Sequence, residues 1–165
     1  GIRDQPRSRG LGDVYKRQGI RHSVTWDPHP EVENTALHKY EGQLVSDKFQ
    51  AGAKVLSDMN MTFEAWLYFH QLPQLLEFAK SVPDLTIILN HIGGLVMNGP
   101  YENKREEVVK LWKDGIAKIS ECSNVVVKLG GVGMPRTGFD WHDRDSPIGS
   151  RELAASIAPY FNYCI

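Results

Sequence analysis

Residues 71–94, QLPQLLEFAKSVPDLTIILNHIGG, place two kinds of element back to back. Leu72, Leu75, Leu76 and Ala79 fall at i, i+3, i+4 and i+7, the spacing of one helix face. Pro83 and Asp84 stop that helix. Residues 85–91, LTIILNH, then form a continuous apolar run of the kind found in a parallel sheet covered on both faces. Gly93 and Gly94 leave the chain free to turn after it.

The same alternation extends in both directions. Upstream, residues 19–24 (GIRHSV) read as a strand stub followed by the turn formers Asp27-Pro28-His29-Pro30. Residues 49–58 have helical composition, and residues 61–69 (MTFEAWLYF) are aromatic-rich, as strands are. Downstream, Val109, Trp112, Ile116 and Ile119 make an inward stripe on a helix over residues 104–121. Residues 124–131 (NVVVKLGG) form the next strand, and a polar loop through Asp140, Trp141, His142 and Asp143 leads to a last helix. Ser150 is the expected N-cap of that helix, and Pro159 is expected to kink or interrupt it. Strand and helix thus alternate four times, which predicts an α/β fold with a parallel sheet and right-handed crossovers. An open doubly wound sheet and part of a (β/α) barrel both satisfy that order.

Charge and composition exclude several classes. The formal net charge is −1, and residues 1–18 hold five basic and two acidic side chains, so the rest is mildly acidic and lacks the basic stripe of a nucleic-acid binder. No apolar run approaches the roughly 20 residues that span a bilayer, so no membrane partner is expected. Cys122 and Cys164 have no CxxC spacing, which suits free thiols in a reducing, cytoplasmic setting. No glycine-rich phosphate loop follows a strand, so nucleotide binding has no support.

In parallel α/β folds the chemistry gathers past the carboxyl ends of the strands. That rule selects Arg21, His22 and Trp26, then His70, His91, and Lys128 with Gly130 and Gly131. A neutral imidazole binds a divalent metal and a protonated one donates to an oxyanion, so converging histidines suit a hydrolytic site. Strand alternation turns His22 opposite to Arg21, and Lys128 reads first as an ion-pair partner. Trp141 and His142 are candidates for a lid, the bland reading being a loop anchored by one aromatic.

The strings at 19–22, 71–94, 124–134 and 150–165 together resemble the amidohydrolase-related TIM-barrel hydrolases, a branch with lactonases and, as relatives, decarboxylases. The most specific element is the P-D-x-T-x-x-x-x-x-H-x-G-G arrangement over residues 83–94. The resemblance implies a fragment of a (β/α)8 barrel, about strands 4 to 7 with their helices, over residues 19–165. It makes His91 and His70 the catalytic candidates, and the metal ligands if zinc or manganese is used, with none required in some relatives. It assigns Arg21 to a substrate carboxylate; His22, by its strand-end position, and Trp141 and His142, as a lid, are the further candidates for substrate contact. Phe69 stands where many relatives have the histidine, which separates His70 from the family pattern. The implied partner is a small carboxylate-bearing or sugar-derived lactone, with a decarboxylase or a non-catalytic small-molecule-binding barrel as the alternatives. The family's first-strand histidine pair and eighth-strand aspartate are absent, so the chain is expected to be an inactive piece of a longer enzyme, of unknown oligomeric state.

Residues 1–18 show neither helical nor strand periodicity. The string DVYKRQ at 13–18 is similar to one reading frame of a transposon end used in sequencing libraries, and the residues before it look like adapter. The natural chain is therefore expected to start at Gly19, inside a longer frame.

Overall fold

The computed structural model describes residues 18–165. The expected non-native segment, 1–18, lies outside the described residues except for Gln18, whose carbonyl accepts the Thr62 N–H at 2.9 Å. Four strands, β1 (Gly19–Ser23), β2 (Thr62–Trp66), β3 (Ile87–Leu89) and β4 (Val125–Val127), form a parallel sheet in the order of the chain. A helix follows each strand: α1 (Asp47–Asp58), α2 (Leu72–Ser81), α3 (Arg105–Ile119) and α4 (Ser150–Phe161). The α/β alternation of the sequence is thus the architecture.

The period of two sorts the strand residues onto two faces. Phe63, Ala65, Ile87 and Leu89 are buried with Leu75, Phe78 and Trp112 from the helices. Phe49, Phe63 and Phe78 meet edge to face at 5.5–5.7 Å, the geometry their ring quadrupoles favour. On the opposite face Arg21 and Val126 are exposed, and Glu64 and Ile88 are half-buried.

Several local expectations need correction. The three later strands are shorter than their apolar runs, because the chain turns into the strand-end loops as soon as the ladder ends. Val108, not Val109, is the fully buried residue in the first turns of α3, with Gly115 added where the helix presses on Leu72. Gly149 occupies the N-cap of α4 and Ser150 is already helical, with no side-chain cap. Pro159 does not interrupt α4, which runs on to Phe161. Both Pro159 and Ala155 are exposed, so the ring has room on the solvent side of the helix.

Candidate functional site

One face of the sheet, from the middle of β1 and β2 to the residues just past β3 and β4, brings together charged and polar groups. Arg21 stands opposite Glu64 in the β1–β2 register and donates Nε–H to Glu64 Oε2 at 2.9 Å. Lys128, one residue past β4, donates to the same oxygen at 2.9 Å. Arg21 also donates to Asn90 Oδ1 at 3.1 Å. Glu64 therefore holds two cations side by side, and the Lys128 hydrogen bond leads the effects that keep its carboxyl below the usual range.

His91 lies two residues past the end of β3, after Asn90. Its backbone is left-handed at φ 53°, as are Ile92 at 52° and Gly93 at 83°. Two adjacent non-glycine residues in that region store strain of the kind concentrated at functional sites. Three contacts hold the turn. Trp112 Nε1 donates to Ile92 O at 2.6 Å, the Ile92 N–H bonds Lys128 O at 3.1 Å, and a Cβ at Gly94 would lie 2.0 Å from Leu67 O. The His91 ring meets Trp66 edge-on at 4.9 Å, and Gly131 packs so closely that a Cβ there would be 2.5 Å from the imidazole. Burial, then Arg21 and Lys128, push the His91 pKa down, so the ring is neutral near pH 7. Arg136 lies over Trp66 at 5.7 Å, bonds the Tyr68 hydroxyl, and adds a third positive charge.

The remaining candidates fall elsewhere. His70 Nε2 bonds the buried Asp27 at 2.9 Å, and Tyr101 donates to the same carboxylate oxygen at 2.8 Å. That grip fixes the loop after β1 against the start of α2. His22 lies on the helix-facing side of β1, bonded to Gln43 at 3.1 Å and tilted against Phe49, so it does not join Arg21. Trp141 stacks on Phe139 at 4.4 Å, and Phe139 meets Arg105 and Tyr160 on the helix layer; His142 is exposed beside Asp143. The structure thus unites Arg21, His91 and Lys128, and adds Glu64, Asn90 and Arg136, which the sequence reading passed over. A lone carboxylate in an otherwise apolar and aromatic strand was the available signal for Glu64; Arg136 has none.

The donors near His91 are poorly suited to a divalent ion. His91 Nδ1 is buried and unpartnered, but three cations surround that ring and His70 Nε2 is committed to Asp27. Among the described residues the one three-donor group with mutually close ligand atoms is Asp140, His142 and Asp143, all exposed and outside the strand-end cluster. These residues do not fit a metal at His91. Their field favours an anion.

His22, His70 and His91 all have lowered pKa values, with burial the leading cause in each; Asp27 opposes it at His70, and His38 adds to it at His22. Folding then favours the neutral rings. That contribution is complete above the unfolded value of about 6.5 and is lost as pH falls through the lower folded values. The urea midpoint is expected to drop between about pH 7.5 and about pH 5.5, and less so in His22→Gln. A midpoint that rises on acidification contradicts these placements.

A parallel sheet with a charged and imidazole cluster past its strand ends is the plan of a βα-type enzyme scaffold. The chain belongs to the amidohydrolase family, whose profile matches residues 14–159 and so begins within the segment read as adapter. It superposes on an amidohydrolase from Burkholderia multivorans solved with bound HEPES, with a TM-score of 0.66 and 17% identity over 98% of this chain and 50% of that one. The Burkholderia multivorans amidohydrolase solved with bound zinc gives 0.64 and 16% over 92% and 49%. The uncharacterized protein y4mH of Sinorhizobium fredii is 29% identical over 117 residues, 71% of this chain and 36% of that protein. The chain spans about half the length of these structures and about a third of that relative. Among the described residues no helix is long and apolar enough to cross a membrane.

Proposed function

We propose that the full-length protein is a cytoplasmic hydrolase that opens a lactone or related cyclic ester, and that residues 19–165 supply about strands 4 to 7 of its barrel, residues 1–18 being non-native. The observation that carries this reading is the pair of cations, Arg21 and Lys128, held on one oxygen of Glu64 beside a neutral His91.

In this reading the substrate carboxylate lies against Arg21 and Lys128, a role suited to the guanidinium fork. His91 donates to the lactone carbonyl as negative charge develops on its oxygen. Water adds to the carbonyl carbon, the ring C–O bond breaks, and the proton released from water ends on the ring oxygen as a hydroxyl. An aspartate from outside the described residues activates the water. His70 and Asp27 fix the loop over the β1 end. Zinc or manganese would need donors from outside the described residues, and no step here relies on it.

Carbon balance separates this from the decarboxylase alternative. Incubating the full-length product of the source gene with carboxylate-bearing lactones is expected to release acid with every carbon retained. Release of carbon dioxide would establish the decarboxylase instead, and binding without turnover the non-catalytic barrel.

A further inference from the structure

One nitrogen of His91 takes no part in the interactions described above. Nδ1 is buried and has no hydrogen-bond partner among the described residues. A buried polar atom without a partner is uncommon enough to need a physical reason. Of the two ring nitrogens only Nδ1 is in that state, which leaves Nε2 as the one a ligand or water reaches.

The segment after β4 makes the seal. Lys128 O accepts the Ile92 N–H at 3.1 Å and so holds the left-handed turn that carries His91. Three residues on, Gly131 is itself left-handed at φ 73° and lies against the ring. A Cβ at Gly131 would stand 2.5 Å from Cβ, Cγ and Nδ1 of His91, so only glycine lets the backbone come this close. Trp66 meets the ring edge-on at 4.9 Å. The imidazole is thus confined between an indole and a bare stretch of backbone.

A neutral imidazole has one proton to place, and the bond made by one nitrogen ordinarily decides which of them carries it. No acceptor bonds Nδ1 among the described residues, so an N–H there would be a buried donor with nothing to donate to, the rarer kind of orphan. Arg21, Lys128 and Arg136 outnumber Glu64 around the ring, and their field favours a lone pair over an N–H at the sealed atom. A metal ligand would show the opposite pattern, since a histidine bound through one nitrogen donates its other N–H to a carboxylate or carbonyl.

We propose that Gly131 is a positioning residue, which seals the Nδ1 side of the His91 ring and so holds the ring's only proton on Nε2. His91 then enters the site as a fixed donor, with no lone pair there to take a proton from water. In lactone opening, which rests on the function proposed above, the group that polarises the carbonyl is thereby separate from the base that activates water. The position of the proton does not rest on that function.

Two-bond proton–nitrogen correlations of the isotope-labelled chain, at a pH above the ordinary histidine value of about 6.5, read the proton directly, with His91→Gln assigning the ring. The expected result is a protonated Nε2 and an unprotonated Nδ1. Gly131→Ala, whose Cβ displaces the ring and admits water to Nδ1, is expected to move the pattern toward the mixture of forms that a hydrated histidine shows. Gly130→Ala, where a Cβ meets nothing within 4 Å, is expected to leave it unchanged. A proton on Nδ1, a mixture of forms in the unaltered chain, or an unmoved pattern in folded Gly131→Ala would each overturn the proposal. If Gly131→Ala does not fold, the proton position in the unaltered chain decides alone.

Discussion

Trp112→Ala lowers the free energy of unfolding by about 3–5 kcal/mol, the range for emptying a buried aromatic site. Trp112 is fully buried at the centre of the core and contacts Tyr160 and Tyr163 of the C-terminal segment. Its Nε1–H also donates to Ile92 O, in the left-handed turn that carries His91. Removing the indole leaves that carbonyl unpaired, which adds about 1–3 kcal/mol if water does not enter. A domain of this size is stable by about 5–15 kcal/mol, so the urea midpoint should fall by about a fifth or more. Leu111→Ala, at a neighbouring exposed position, should change stability by no more than about 0.5 kcal/mol. Equal midpoints for the two variants would contradict the core described above.

Arg21→Gln weakens binding of a carboxylate-bearing lactone by about 10- to 100-fold, the equivalent of one charge-assisted hydrogen bond. The fold should tolerate it, since the Arg21 side chain is 54% exposed and Glu64 keeps Lys128 as its partner. Glutamine retains the stem and a donor but not the charge or the fork. Affinity measured by calorimetry at fixed low salt, beside a His22→Gln control on the other face of β1, separates the charge from a general disturbance. Equal affinities for Arg21→Gln and the unaltered chain would remove Arg21 from the site.

The elements were legible where burial imposes a pattern. Leu72, Leu75 and Ala79 announce α2 because one helix face must meet the sheet, and the apolar run of β3 announces a strand buried between layers. Strand alternation set His22 apart from Arg21, as the structure does, yet strand-end position still kept His22 among the candidates. Contacts across long separations left no local trace. Asp27 is 43 residues from His70 and 74 from Tyr101, so its hold on both emerges only when β1 and β2 lie side by side. Glu64 stood out only as a lone carboxylate in its strand, and its role as a clamp comes through the register that sets it beside Arg21 and within reach of Lys128. Ser150 has the chemistry of an N-cap, but the helix begins one residue earlier than that chemistry suggests. Trp141 is held by Phe139, a contact with no sequence signal beyond two aromatics in one loop.

The proposed function requires an anionic carbonyl compound to seat between Arg21, Lys128 and His91. The most direct measurement is a nuclear magnetic resonance titration of the chain with 5-oxotetrahydrofuran-2-carboxylate, a γ-lactone with one carboxylate, following the Arg21 Nε–H, the Lys128 Nζ and the His91 ring. Saturable shifts at all three groups, with His22 and His142 unmoved, are the predicted result. Shifts confined to His22, or no saturable shift at Arg21, would contradict it.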